Sequence, residues 1–365
     1  MFGVSGTCSR NEHHVSGINS RFTVDRLYVV VNYMNLTVIG SGSWGTALAI
    51  LLGNKGYSVK MWGRPEEAAA LIRDRENVQY LPGAKLPDNV KPTQNIDEAL
   101  AGCEVVVMAI PSTAVRIVTS MMKDKLPPEV LLIHAGKGLE SETGLRGSQV
   151  ITEVLGAEIG SRCVALSGPN LAVELANNIP TATVVASADA DRAIIAQDVF
   201  SSPGLRVYRN CDITGVEFGG AMKNVLAIGA GISDGLGYGD NTKATVVTRG
   251  LVEMTRLGVA MGANPKTFTG LSGFGDLMAT CASRLSRNLR LGLMIGQGKS
   301  REESLQVLGQ VAEGMHTCEA AYLLSKKHGI YMPITEQIHS VLFEGKSPKQ
   351  AVSDLMTRDN KEEIC

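Results

Sequence analysis

A glycine-rich loop near residue 40 limits the folds open to this chain more than any other feature of its sequence. Residues 40–45 read Gly-Ser-Gly-Ser-Trp-Gly, directly after the apolar run LTVIG and before the helix-like run TALAILLGNKG. In such a unit Gly40 allows a tight turn, Gly42 lets the backbone approach a pyrophosphate, and Gly45 lets helix and strand pack closely. The sequence therefore predicts a dinucleotide-binding unit of the Rossmann type, with an ordinary glycine-rich turn as the alternative.

Beyond this loop, short apolar runs alternate with longer amphipathic ones up to about residue 213. Further strand candidates are SVKMWG, CEVVVMAIP, EVLLIHAGKG, VALSG, TATVVAS and LRVYRN. This alternation predicts a mostly parallel sheet covered by helices. Helical spacing then takes over, with helices predicted around 244–261, 303–314, 316–328, 333–344 and 348–356. We therefore predict an α/β Rossmann-type domain over residues 34–213 and an all-α domain over residues 214–365.

The composition excludes several classes of protein. The formal net charge is -1, from 35 basic and 36 acidic residues, so the chain has no overall field for nucleic acid or an anionic membrane. No segment reaches the roughly 18 uninterrupted apolar residues of a spanning helix. The seven cysteines lie far apart without a CxxC pair, which favours free thiols in a reducing cytosol. We expect a soluble cytoplasmic protein with a small-molecule ligand and no metal site.

Residues 1–33 stand apart from the rest of the chain. They are polar, contain Ser and Gly, show no period of 2 or 3.6, and end just before Met34. We interpret them as a flexible extension. Two other interpretations stay open, a native start at Met34 and a targeting peptide.

The end of the second predicted strand bears on the choice of cofactor. A strict NAD enzyme usually carries Asp or Glu there, about 20 residues beyond the glycine motif, against the ribose 2′-hydroxyl. This chain has Arg64, whose guanidinium can pair with a 2′-phosphate. A solvated arginine is the alternative, and Glu66 and Glu67 keep NAD open. We predict NAD or NADP as the cofactor, and Arg64 favours NADP.

Two lysines, one in a loop after a predicted strand and one in an apolar helical run, are candidates for catalytic residues. Lys137 lies between two glycines after the candidate strand VLLIH, and ligands of open parallel sheets bind outside the carboxyl ends of strands. Lys223 interrupts a helical run of small and apolar residues. Burying an ammonium without partners is costly, and desolvation favours the neutral amine that a general base needs. A solvated loop lysine and a lysine that snorkels to the surface are the respective alternatives.

Two tripeptides are further candidates for ligand binding. A predicted strand ends in Gly168-Pro169, and we expect a helix to begin at an Asn170 cap, where backbone donors could reach the cofactor. In 286–288, Ser-Arg-Asn, arginine can bind phosphate oxygens with two parallel hydrogen bonds while its neighbours add neutral donors. A simple strand-to-helix turn and the basic face of a helix are the alternatives.

Taken together and in chain order, these motifs resemble the bacterial NAD(P)-dependent glycerol-3-phosphate dehydrogenases. The resemblance runs from Met34 to about Leu355 and rests on GSGSWGTALA, KGLE, SGPNLAVE, GGAMKNVLAIGAGISDGLGYGDNTKA, GFGDLMATC, SRN and VAEG. It implies a Rossmann domain, a helical domain of the 6-phosphogluconate-dehydrogenase-like type, a homodimer, and a cytoplasmic role at the entry to glycerophospholipid synthesis. Asn170 departs from the family's usual serine after Gly-Pro.

The resemblance also assigns residues to roles. Lys223 matches the family's proton acceptor, and Lys137 matches a second active-site lysine that contacts cofactor and substrate. Asp276 matches a substrate-binding position, and we expect it to orient the lysines together with Asn224. Other substrate-binding positions are matched by Gly168, Asn170, Ser286, Arg287 and Asn288. Cofactor-contacting positions are matched by Ser43, Trp44, Arg64, Ala172, Arg287, Val311 and Glu313.

The chemistry that this resemblance implies is hydride transfer between C2 of glycerol 3-phosphate and C4 of a nicotinamide. An alternative enzyme is a related β-hydroxyacid dehydrogenase acting on a carboxylated substrate, although residues 286–288 favour phosphate. A non-catalytic NADP-sensing regulator is a third possibility. It would need the glycine loop but not the set of Lys137, Lys223 and Asp276.

Overall fold

A computed structural model describes residues 34–309, 311–360 and 362–363. Residues 1–33, for which the sequence predicts a flexible extension, lie outside the described residues. Among the described helices, none is long and apolar enough to cross a membrane.

The first half of the described chain forms one sheet. Its strands are β1 Asn35–Ile39, β2 Ser58–Trp62, β3 Val90–Thr93, β4 Val105–Met108, β5 Leu131–His134, β6 Val164–Ser167, β7 Thr181–Ala186 and β8 Leu205–Asn210. Their spatial order is β3-β2-β1-β4-β5-β6-β7-β8. Every neighbouring pair is parallel except β6 and β7. The predicted mostly parallel sheet is confirmed, and the chain changes direction across the sheet between β1 and β4, where a ligand crevice forms in such folds.

Helices cover both faces of this sheet. They are α1 Ser43–Asn54, α2 Pro65–Asp74, α3 Ile96–Leu100, α4 Ser112–Met122, α5 Gly147–Leu155, α6 Ala157–Gly160, α7 Ala172–Ala176 and α8 Ala190–Phe200. Successive residues of a strand point to opposite faces. In β4, Val105 and Val107 belong to one buried apolar cluster, whereas Val106 and Met108 belong to another. Because both faces are buried, the strand is apolar throughout.

The second half is helical, as predicted. It contains α9 Ile213–Gly235, α10 Asp240–Ala260, a 3₁₀ turn Pro265–Thr269, a π turn Leu271–Gly275, α11 Asp276–Ala282, α12 Arg287–Gly296, α13 Arg301–Leu308, α14 Glu313–His328, α15 Pro333–Phe343 and α16 Pro348–Met356. The long helix α9 lies at the centre and is buried along most of its length. It packs closely on α12 through glycines, because a Cβ at Gly231 would lie 2.1 Å from the Leu289 carbonyl oxygen. This packing places the start of α12 beside the second half of α9.

Four local predictions differ from the structure. The helix predicted around 244–261 begins four residues earlier, at Asp240. The helix predicted over 303–314 ends at Leu308, because Gly309 takes a left-handed conformation with φ 58° and closes it. The next helix begins at Glu313, not at residue 316. The predicted Asn170 cap is also wrong, since α7 begins at Ala172 and no side chain caps it.

The side chain of Asn170 bonds to β7 instead. Its Nδ2 donates to the Ala182 carbonyl oxygen at 3.0 Å, and its Oδ1 accepts from Thr183 Oγ1 at 2.9 Å. Gly168 lies against the same strand, because a Cβ there would be 2.9 Å from the Thr183 Cα. The turn therefore carries Asn170 towards fixed partners on β7 and away from the start of the helix.

Candidate active site

The glycine loop forms a cradle at the N-terminus of α1. Gly40 has φ 117°, and a Cβ there would lie 2.4 Å from the Ala109 carbonyl oxygen. A Cβ at Gly45 would lie 2.0 Å from the Gly40 carbonyl oxygen, whereas one at Gly42 would meet nothing within 4 Å. Gly40 and Gly45 therefore allow close contacts between backbone segments. Gly42 leaves open space in front of a helix N-terminus that no side chain caps. This arrangement fits the pyrophosphate of a dinucleotide.

Two other predicted cofactor residues lie at the same helix start. Ser43 and Trp44 are the first two residues of α1. The indole Nε1 of Trp44 is buried and has no hydrogen-bond partner within the described part of the chain. A buried donor of this kind is costly unless a ligand satisfies it, so it also fits a bound cofactor. Ala172 begins α7, which packs against α1.

Three charged side chains from three segments of the chain meet in one cluster beyond the carboxyl end of β5. Lys137 comes from the loop after β5, Lys223 from the middle of α9, and Asp276 from the first residue of α11. Lys223 Nζ lies 2.6 Å from Asp276 Oδ1, and Lys137 Nζ lies 2.7 Å from Asp276 Oδ2. Lys137 also donates to the Gly168 carbonyl oxygen at 2.8 Å. One carboxylate, with its side chain only 2% exposed, thus holds two ammonium groups side by side.

Burial sets the protonation of Lys137. It lowers the pKa of this lysine to about 8, the nearby Asp276 carboxylate opposes that shift, and Lys223 adds to it. A lysine with a pKa in this range can exchange a proton close to neutral pH. The Lys137 amine can therefore gain or lose a proton near neutral pH while it lies beside Asp276 and Lys223.

Thr280 belongs to this cluster, although our reasoning from the sequence did not single it out. Its Oγ1 accepts a hydrogen bond from Lys223 Nζ at 2.8 Å and donates one to Asp276 Oδ1 at 3.3 Å. A signal was present in the sequence, because Thr280 follows Asp276 by four residues and so lies on the same face of α11. Asp276 and Thr280 together fix the position of the Lys223 amine.

Two asparagines join the cluster to the surrounding helices. Asn224 Nδ2 donates to the Lys137 carbonyl oxygen at 3.1 Å, and Asn288 Nδ2 donates to Asn224 Oδ1 at 3.0 Å. Asn288 Oδ1 accepts from the Gly314 backbone N–H at 3.0 Å. Each side-chain amide keeps one of its two N–H donors outside these bonds. The asparagines thereby hold the Lys137 loop, α9, α12 and α14 in one arrangement.

Residues 286, 287 and 313 lie where the helical half faces the sheet. Ser286 caps α12, since its Oγ accepts from the Leu289 N–H at 3.2 Å. Arg287 is half-buried. Burial lowers its pKa, and the charge of Glu313 opposes that shift. Glu313 Oε2 accepts from Ser112 Oγ at 2.8 Å, at the N-terminus of α4, and burial raises the pKa of this glutamate.

The remaining predicted residues lie outside the lysine cluster. Arg64 is at the end of β2, where its side chain is 72% exposed and forms an ion pair with Glu67. Val311 is 45% exposed in the loop before α14. Asn170 is held by β7, as described above. No group of three or more His, Cys, Asp or Glu side chains that could hold a metal ion occurs among the described residues.

Comparison with protein families covers both halves of the chain. The family described as NAD-dependent glycerol-3-phosphate dehydrogenase N-terminus matches residues 35–193. The corresponding C-terminus family matches residues 212–353. These two segments include the glycine loop and every member of the lysine cluster.

Individual relatives and a solved structure agree with this match. The chain is 51% identical over 330 residues to glycerol-3-phosphate dehydrogenase [NAD(P)+] of Pelotomaculum thermopropionicum, covering 90% of this chain and 95% of the relative. It is 47% identical over 332 residues to the protein of the same name from a Thermoanaerobacter species, covering 91% and 99%. The crystal structure of glycerol-3-phosphate dehydrogenase from Coxiella burnetii superimposes with a TM-score of 0.86 at 36% identity, covering 90% of this chain and 100% of that one. The chain therefore belongs to the NAD-dependent glycerol-3-phosphate dehydrogenase family.

Proposed function

We propose that this protein catalyses reversible hydride transfer between NAD(P)H and dihydroxyacetone phosphate, with sn-glycerol 3-phosphate as the reduced product. The observation that carries the proposal is the buried cluster of Lys137, Asp276 and Lys223, in which Lys137 follows β5 at the same edge of the sheet where the glycine loop follows β1. When bound, the nicotinamide supplies or accepts the hydride. The side chains of the cluster exchange the proton of the C2 oxygen and stabilise the charge that develops on it.

Lys223 holds the proton that the C2 oxygen of the substrate gains or loses. Its bonds to Asp276 and Thr280, at 2.6 and 2.8 Å, use two of the three ammonium donors and leave one for the substrate. In the reductive direction Lys223 donates a proton to the oxygen as negative charge develops there. In the oxidative direction it must begin as the neutral amine, which accepts the hydroxyl proton and becomes the ammonium.

Lys137 and Asp276 set the charge around that oxygen. Two protonated lysines and one carboxylate leave a single net positive charge in a buried site, which favours a phosphorylated substrate and an oxygen that becomes negative. Asn224 binds the backbone of the Lys137 loop and keeps this lysine against Asp276. The geometry of the cluster is therefore fixed before the substrate arrives.

Arg287 binds the substrate phosphate in this proposal, with Ser286 and Asn288 beside it. Support comes from its position as the first residue of α12, where the helix N-terminus also favours an anion. Asn288 connects this position to Asn224 by a hydrogen bond of 3.0 Å. Phosphate binding would thus be linked mechanically to the lysine cluster.

We also propose the setting in which the enzyme works. Residues 34–213 form the cofactor domain and residues 214–365 the substrate domain, because the last strand ends at Asn210 and α9 begins at Ile213. The free thiols of the described cysteines support a reducing compartment such as the cytoplasm. Family membership supports a homodimer and a role in glycerophospholipid synthesis, and light scattering of the purified protein tests the dimer.

The reaction is tested by measuring the cofactor and the product in the same assay. Purified protein is mixed with NADH or NADPH and dihydroxyacetone phosphate, and the loss of reduced-nicotinamide absorbance is followed while sn-glycerol 3-phosphate is assayed. We expect oxidation of the cofactor with matching product, and none with a carboxylated β-keto acid. Turnover of the keto acid alone would support a β-hydroxyacid dehydrogenase, and cofactor binding without any turnover would support a sensor.

A further inference from the structure

An acidic side chain at the carboxyl end of β2 has no role in the chemistry described above. Glu67 lies in the first turn of α2 and accepts hydrogen bonds from the Ser41 hydroxyl and from the Arg64 guanidinium. The Tyr80 hydroxyl lies 3.2 Å from the same carboxylate. Donors from the glycine loop, the end of β2 and the segment after α2 therefore converge on one carboxylate at the edge of the cofactor crevice.

Gly63 explains how the glycine loop comes this close to α2. Strands β1 and β2 pair with Ile39 opposite Trp62, and the Gly40 N–H donates to the Trp62 carbonyl oxygen at 2.9 Å. A Cβ at Gly63 would lie 2.4 Å from Ser41 Oγ. Because residue 63 has no side chain, the Ser41 hydroxyl can lie over the end of β2 and reach Glu67.

The ion pair has an inner and an outer member. The side chain of Glu67 is 14% exposed, whereas that of Arg64 is 72% exposed. Burial would raise the pKa of Glu67, but the hydrogen bonds from Arg64 and Ser41 outweigh it and hold the pKa below its ordinary value. The carboxylate is therefore ionised at neutral pH and is fixed from three sides. Its neighbour Glu66 is exposed and takes no part in this network.

The two candidate cofactors differ only at the ribose 2′ position, and this pair contains a group suited to each. A carboxylate at the end of the second strand accepts a hydrogen bond from the 2′-hydroxyl of NAD(H), whereas a nearby arginine accommodates the 2′-phosphate of NADP(H). Here the two groups bind each other. To bind Arg64, a 2′-phosphate must break the ion pair of Arg64 with Glu67. The phosphate would also lie near the negative charge of Glu67, which repels NADP(H) but not NAD(H).

We propose that Glu67 is the residue that determines cofactor specificity, by accepting the 2′-hydroxyl of NAD(H) and by limiting the affinity for NADP(H) through its charge and its hold on Arg64. The inference rests on the proposed function, because it concerns the cofactor of that reaction. It names a single carboxylate, and it separates Glu67 from Glu66, which the sequence alone treats as equivalent.

The test measures cofactor binding without substrate. Dissociation constants of NADH and NADPH are determined from cofactor fluorescence for the wild type and for Glu67→Gln, which is nearly isosteric. We expect the preference for NADPH over NADH to rise about tenfold, chiefly through tighter NADPH binding. Arg64→Gln should shift the preference in the opposite direction. Glu67→Asp, which retains the charge, should stay closer to the wild type than Glu67→Gln does.

Glu66→Gln is the matched control, since it removes the same charge one residue away without touching the network. Its preference should stay within about twofold of the wild type. An unchanged ratio in Glu67→Gln, or equal changes in the two glutamine variants, would overturn the inference. Turnover of dihydroxyacetone phosphate separates it from the proposed function. Altered cofactor preference without turnover refutes only the function, and turnover with an unaltered preference refutes only the role of Glu67.

Discussion

The buried cluster around Asp276 and the ion pair of Arg64 with Glu67 are both built from close charge contacts, but they differ in burial. The Asp276 side chain is 2% exposed, whereas the Arg64 side chain is 72% exposed. In the buried cluster the charges have left water and depend on one another, whereas solvent and salt screen the exposed pair. A buried network can hold atoms in place for proton transfer. An exposed pair can be opened by a ligand.

Removing the shared carboxylate should break the buried network with the largest effect. Asp276→Asn leaves two ammonium groups facing each other without a counter-charge. We expect a loss of about 3–5 kcal/mol in the free energy of unfolding, because an uncompensated buried charge is strongly destabilising. Turnover should fall with it, since neither lysine is then held in position. Urea unfolding and kcat measured on the same preparation check both effects.

Glu253 offers a matched control for this variant. Glu253, on α10, is also buried, but its carboxylate reaches the start of α15, where it accepts from the Ile334 N–H at 2.6 Å and the Thr335 N–H at 3.0 Å. Glu253→Gln should destabilise the protein while kcat stays within about twofold of the wild type. If both variants lowered kcat equally, the special role of Asp276 would be refuted.

The pH dependence of stability tests the burial of Lys137. Burial lowers its pKa to about 8, compared with about 10.4 for an unfolded lysine. Between these values the unfolded state binds more protons, so this lysine makes folding more favourable as pH rises, by up to about 1.4 kcal/mol per pH unit. Lys137→Met loses this contribution. We subtract the free energy of unfolding of the variant from that of the wild type, both measured by urea unfolding. This difference should increase from about pH 8 to pH 10.

Burial also lowers the pKa of Lys55 to about 8, but Lys55 does not affect the comparison of the wild type with Lys137→Met. It is present in both proteins, and its effect cancels in the difference. A difference that stays flat over the same pH window would contradict the burial of Lys137.

The smallest effect is expected at the exposed pair. Arg64→Gln should change the free energy of unfolding by about 1 kcal/mol or less, because the Arg64 side chain is 72% exposed and exposed ion pairs contribute little to stability. The same urea titration measures it. A loss as large as that of Asp276→Asn would mean that burial does not distinguish the two networks.

Much of the fold could be predicted because its signals are local. The glycine loop is short and directly joins a strand to a helix, and seven of the eight strands coincide with strand candidates in the sequence. Strand β3 was missed because its sequence, VKPT, lacks apolar alternation. Its Pro92 cannot donate to a ladder and is tolerated because β3 is the edge strand.

The contacts of the candidate site could be predicted only in part. The sequence pointed to Lys137, Lys223 and Asp276, and their catalytic roles stay predictions. The family resemblance led us to expect that Asp276 orients both lysines, but the contacts themselves could not be derived from local patterns, because Asp276 is 139 positions from Lys137 and 53 from Lys223. Such contacts depend on how the helical half packs on the sheet. The end of α13 is a local feature by comparison, and Gly309 was a signal in the sequence that we missed.

The most direct test of the account is the turnover of Lys223→Ala with dihydroxyacetone phosphate and NADPH. We predict that kcat falls about a thousandfold or more, because the proton exchanged with the C2 oxygen loses its carrier. The NADPH dissociation constant should stay within about threefold of the wild type, since the glycine loop is untouched. Lys266→Ala, at an exposed lysine, should retain full turnover. Turnover of Lys223→Ala close to that of the wild type would contradict the central claim.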